Sequence, residues 1–97
     1  RRDPEGRPTV FDLVDDLPAL VARAPADARV VVMHTAVLMY PEPARRQQFV
    51  DLMRSMLDVT WISNEGENVL PDVAAQVDVP VDGRFIVAVD GRPIGLA

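Results

Sequence analysis

Residues 30–33 read Val-Val-Val-Met, and this run constrains the chain more than any other. Successive β-branched residues are stiff at χ1 and suit a pleated strand better than a helix. A strand that is apolar at every position, and not at alternate ones, suits a parallel sheet covered by helices on both faces. Residues 28–34 are therefore expected to form such a strand, ending at His34, the only histidine in the chain.

The next segment fits a crossover to a parallel neighbour. Pro43 stands where a first helical residue belongs, since its missing N–H costs nothing there. Phe49, Leu52, Met53, Met56 and Leu57 then recur at helical spacing, with Arg45, Arg46, Gln48, Asp51 and Arg54 mostly on the opposite side. The methionines read as core filler. Asp58 leads into Val-Thr-Trp-Ile-Ser-Asn-Glu-Gly, a second strand stopped by Asn64 and Gly66.

Before the first strand, Leu13, Leu17, Leu20 and Val21 mark one apolar helical face. Pro18 cannot lie deep in a helix, so this helix is expected to start near Asp16 as N-cap and to stop before Pro25. Later, Val69–Val77 reads as a short helix around Pro71. The Asp90-Gly91 pair between two apolar runs predicts a hairpin, and Asp82-Gly83 another tight turn. Residues 1–8, charged and broken by Pro4, Gly6 and Pro8, read as an irregular lead-in to one α/β domain over 9–97. Alternating helices and strands imply a parallel sheet with flanking helices and a C-terminal antiparallel hairpin.

Composition excludes several function classes. The net charge of −5 argues against nucleic acid, which is bound through clustered cations. No apolar run approaches a membrane span, and the N-terminus lacks the apolar core of a signal peptide. With no cysteine, disulfides, thiolate nucleophiles and sulfur-based zinc sites are ruled out. A cytoplasmic location is expected. The ten basic residues are all Arg, which reads as codon bias in a GC-rich genome. The absence of an initiating Met suggests a segment of a longer protein.

In open α/β sheets, ligands bind beyond the carboxyl ends of the strands. His34 and Thr35 end one predicted strand; Ser63, Asn64 and Glu65 end the next. Two readings stand side by side. Either these residues form a site, with His34 as general base, or they are turn formers and a hydrogen-bonding histidine at a loop boundary. A Ser63–His34 nucleophilic pair lacks the strained elbow of hydrolases. His34 with Glu65 offers too few ligands for a metal. Glu65 and Glu67 make either an acid/base pair or an exposed charge cluster. Trp61 reads as core or pocket wall, and Arg45-Arg46 as solvated helix surface.

The apolar strand ending in His34-Thr35, Tyr40 a few residues on, the Arg-rich helix and the Trp61-Ile62-Ser63-Asn64-Glu65 strand together resemble the C-terminal part of an uncharacterised family common in actinobacteria. The order of elements is in turn similar to the second half of class I S-adenosylmethionine-dependent methyltransferases, a partial Rossmann-like sheet ending in a hairpin whose last strand runs antiparallel. That resemblance implies substrate-facing positions at His34, Thr35 and Glu65 as catalytic groups, with Tyr40, Trp61, Ser63 and Asn64 as substrate-binding ones. It also implies that S-adenosylmethionine is held by strands of a full-length parent and not by this segment, which is then inactive alone. His34-Thr35 departs from the acidic or amide residue and prolines usual at that strand end. The partners implied are the remainder of the parent chain and, through strand 28–34, a second copy. The other reading of the same open strand is a non-catalytic interaction or assembly module.

Overall fold

A computed structural model describes residue 5 and residues 12–97; the reading of 1–8 as a lead-in lies, but for residue 5, outside the described residues. The elements are α1 (Leu17–Ala22), β1 (Val30–Thr35), α2 (Pro43–Ser55), β2 (Val59–Glu65), α3 (Pro71–Ala74), β3 (Ile86–Val89) and β4 (Arg92–Leu96). They form an α/β unit with one four-stranded sheet in the order β1-β2-β3-β4.

Proline sets each helix start. Pro18, Pro43 and Pro71 all occupy the first two helical positions, where no intrahelical donor is lost. Asp16 is the N-cap residue of α1 but makes no capping bond to the helix. Its carboxylate accepts instead from the Asp12 N–H at 2.7 Å. α1 ends at Ala22, short of Pro25, and Leu20 is about half exposed. α2 ends at Ser55, so Leu57 falls beyond the periodic face and is 90% exposed, against expectation. Val50 takes a place on the buried face beside Phe49 and Met53. Of the two methionines in this pattern, Met53 is buried and Met56 half-buried.

β1 and β2 are parallel, with Val30 opposite Val59 and His34 opposite Ser63. β3 runs antiparallel to β2, and β4 antiparallel to β3. The strand that reverses is thus the third, and the last returns parallel to β1; a hairpin whose last strand opposes the parallel pair was expected. Asp90 and Gly91 both have positive φ, 51° and 80°, and form the two-residue turn the sequence announces. Asp82 and Gly83, at 52° and 77°, make the second turn, closed by Arg84 N–H donating to the Val81 carbonyl.

The expectation that β1 is dry on both faces fails. Its burial alternates: Val31 and Met33 are 50% and 70% exposed, while His34 is buried. The physical reason is that the described helices all contribute to a single core on one side. Leu17 from α1, Phe49, Val50 and Met53 from α2, and Val73 from α3 pack with Trp61, Ile86 and Ala88 of the sheet. Strand periodicity places Val31, Met33, Thr60, Ile62, Val87 and Val89 on the opposite face, where no described residue of the sheet is buried.

Candidate functional site

Strand register decides which of the polar residues meet. His34, Trp61, Ser63 and Glu65 share the helix-covered face and are all buried. Thr35 and Asn64, paired with each other one residue on, lie on the bare face. Tyr40 sits in the loop after β1, 80% exposed and outside the cluster. The structure therefore brings together four of the seven candidate residues and separates the other three.

The four are not equally linked. The Trp61 indole Nε1–H donates to His34 Nε2 at 2.8 Å. Nε2 is an acceptor in that bond, so the neutral ring carries its proton on Nδ1. Nδ1 faces Glu65 Oε2 at 2.6 Å and donates to it. The same oxygen accepts from the Val37 N–H at 3.3 Å, and Oε1 accepts from the Leu38 N–H at 3.2 Å. Both amides reach the carboxyl because Ala36 takes a left-handed φ of 53° and turns the chain back over the end of β2. For a residue with a Cβ that conformation costs about 1–2 kcal/mol, offset by the bonds it permits. Phe49 completes the packing, edge-on to both the imidazole and the indole, with centroids 5.4 and 6.2 Å away.

This arrangement limits the chemistry open to His34. Ser63, His34 and Glu65 have the composition of a nucleophile, base and orienting acid, and the His34–Glu65 bond has suitable length. Yet the nitrogen that would take the serine proton is turned onto Trp61. Ser63 Oγ is buried and has no hydrogen-bond partner among the described residues. For His34 to serve as a base, the Trp61 bond has to open and solvent has to enter. In the observed arrangement the network joins β1, β2 and the loop between β1 and α2. Glu65 is buried, whereas Glu67 is exposed.

Three further sets of contacts escaped sequence reasoning. Arg46, expected to be solvated surface, points its guanidinium at the same loop, donating to the Leu38 carbonyl at 2.7 Å and to the Val69 carbonyl at 3.4 Å. Arg45 pairs with Asp12 and Asp15 at 2.8 and 3.0 Å. Asp12 in turn caps its own turn; the Asp15 N–H, the Arg45 guanidinium and the Val14 N–H hold its carboxyl at about 2, below the ordinary value of 3.8. Asp90 accepts from the Trp61 N–H at 2.8 Å through its side chain and returns its own N–H to the Trp61 carbonyl. The DG turn signal contained the Asp90 position but not that second role.

A cleft of about 180 Å³ opens between α2 and α3, with Trp61, Val50, Leu70 and Val73 in its walls and Arg46 and Arg54 at its rim. Arg54 is occupied there by Asp72 at 3.2 Å. Among the described residues, no group of three or more His, Asp or Glu side chains is placed to hold a metal ion. No described helix is long and apolar enough to cross a membrane.

A bacterial family model, described as an uncharacterized protein conserved in bacteria (DUF2332), matches residues 9–89. The chain belongs to this family. Comparison with curated proteins and with solved structures finds no match. The DUF2332 match spans the residues of the His34–Trp61–Glu65 network and of β1. The family is of unknown function.

Proposed function

We propose that this DUF2332 segment is an assembly module that works by adding a strand at the edge of β1. The observation that carries the reading is the contrast between the two edges of the sheet. Natural edge strands are blunted by charge, proline or a bulge, because an unpaired ladder recruits other chains. β4 has all three: Arg92, Pro93 and a register irregularity opposite Val87/Ala88. Arg92 pairs back to Val89 across the two-residue turn, so Pro93 falls at an outward position and withholds a donor from solvent. β1 has none of these. From Val30 to Pro41 there is no Asp, Glu, Lys or Arg, and Val31, Met33, Val37, Met39 and Tyr40 are all exposed. Among the described residues, one edge is finished and the other has no strand beside it.

Met33→Lys tests this, because that side chain is 70% exposed and its replacement leaves the core alone. Sedimentation velocity across a concentration series should show the wild-type chain associating and the variant shifted to monomer. A wild-type chain that stays monomeric throughout the series overturns the reading.

The bare sheet face favours a second reading. Parallel strands are normally covered on both sides, and here the described helices occupy only one. A longer, methyltransferase-like Rossmann sheet would place further strands beside β1 and helices on that face, with S-adenosylmethionine held by those strands. His34, Thr35, Tyr40 and Glu65 would then stand near its substrate side. The direction of β4 counts against the methyltransferase form of the idea. Calorimetric titration of S-adenosylmethionine into a longer parent and into this chain tests it: binding to the parent alone supports it, and silence from both removes the cofactor.

A further inference from the structure

We propose that the occupant of the β1 edge is a second copy of this chain, paired antiparallel across a two-fold axis at Met33; the proposal rests on the strand-addition reading above. The argument comes from which backbone groups remain to be used. The Ala36 N–H donates to the Asn64 carbonyl on β2. Because successive residues in a strand turn their N–H and C=O to opposite sides, residues 30, 32 and 34 also face β2. Val31, Met33 and Thr35 therefore present their backbone groups to the open edge.

Those three positions are symmetric about Met33. In a two-fold antiparallel pair, Met33 lies opposite Met33 of the second copy, and Val31 opposite Thr35 in both directions. Every outward N–H and C=O then finds a partner, with no position left over. A two-fold interface uses the same patch on both copies, and this patch has no like charges to oppose each other: the net charge of −5 arises outside 30–41. On the bare face, Met33 side chains meet at the axis and each Val31 meets a Thr35, so apolar contact accompanies the ladder. The bonds alone make a small interface, and the association is accordingly concentration-dependent.

The absence of cysteine makes the register directly measurable. Hydrogen-bonded antiparallel pairs hold Cα atoms about 5.5 Å apart, within the roughly 4.4–6.8 Å span of a disulfide. Positions 31 and 31 of the two copies lie four residues apart along the ladder, about 13 Å. Under mild oxidation, Met33→Cys should form a covalent dimer by itself. Val31→Cys alone and Thr35→Cys alone should not, while an equimolar mixture of those two should. All three positions are exposed, and circular dichroism of each variant confirms folding before oxidation. If the chain associates but the disulfides follow another pattern, the two-fold register is wrong while strand addition at β1 stands. A monomeric wild type overturns both.

Discussion

Replacing His34 by Ala tests whether the buried network is structural. The change removes the acceptor of the Trp61 indole N–H and one donor to Glu65. A buried donor left without a partner costs about 1–3 kcal/mol, and a hydrogen bond to a charged group contributes about 1.5–3 kcal/mol. The two losses share one side chain and do not simply add, so about 3 kcal/mol is the expected destabilisation, with the lost edge contact to Phe49 inside that figure. For a chain of 97 residues, total stability is of order 5–15 kcal/mol. Such a loss should lower Tm by roughly 12–24 °C, taking about 4–8 °C per kcal/mol at this size. Urea unfolding followed by far-ultraviolet circular dichroism gives the free energy. Repeating the substitution in a Trp61→Phe background isolates the His34–Trp61 part: the second step should cost less by about 0.5–3 kcal/mol. Tyr40→Ala, at an 80% exposed position, is the control and should stay within about 0.5 kcal/mol of wild type. A cost under about 1 kcal/mol for His34→Ala, with no coupling to Trp61, would refute the structural account. It would also return His34 to candidacy as a proton-transfer group.

Glycine substitutions separate conformation from space. Gly91 has φ +80° with open space where an added methyl group would stand, so Gly91→Ala should cost about 1 kcal/mol from backbone strain alone. Gly95 has equally open space and no positive φ, so Gly95→Ala should be neutral or slightly stabilising by chemical denaturation. Asp12 supplies the pH dependence. Its folded value, about 2, lies below the ordinary 3.8, so its contribution is present above about pH 4 and lost as pH falls toward 2. Carboxyl chemical shifts in an acid titration should place its midpoint near 2, and Arg45→Ala should raise it.

Local chemistry was readable where one residue decides the geometry. Prolines 18, 43 and 71 mark helix starts because a missing N–H has few places to go, and Asp90-Gly91 marks a hairpin because few pairs accept two positive φ values. What could not be read was anything set by partners distant in the chain. Val-Val-Val-Met suggests burial on both faces, but whether helices cover both depends on where the crossovers run, and here the helical core lies on one side. Leu57 continues the period of α2, yet the helix stops at Ser55, so periodicity outlasts the element. In the candidate site, polar residues at two adjacent strand ends correctly brought His34 and Glu65 together. Alternation of side chains across the sheet, which sends Thr35 and Asn64 the other way, was also available from the sequence. The Trp61 bond that occupies Nε2 was not, because it depends on a ring orientation fixed by Phe49 on α2.

The unequal reach of the sheet pairings has a consequence for the order in which the chain folds. β3 and β4 are joined by two residues and can close in microseconds, whereas β1 meets β2 only after α2 has formed between them. Pairings that span long loops must lose more chain entropy before they gain contacts. The β3–β4 hairpin should therefore form first, and β1 docks later, its uncharged sequence staying uncovered until α2 is in place. Hydrogen-exchange labelling during refolding should find the β3–β4 amides protected first and those of Val30, Val32 and His34 later. On a ribosome, where β1 emerges before β2, the same strand waits through the synthesis of all of α2, and that interval is when a neighbouring nascent chain can reach it.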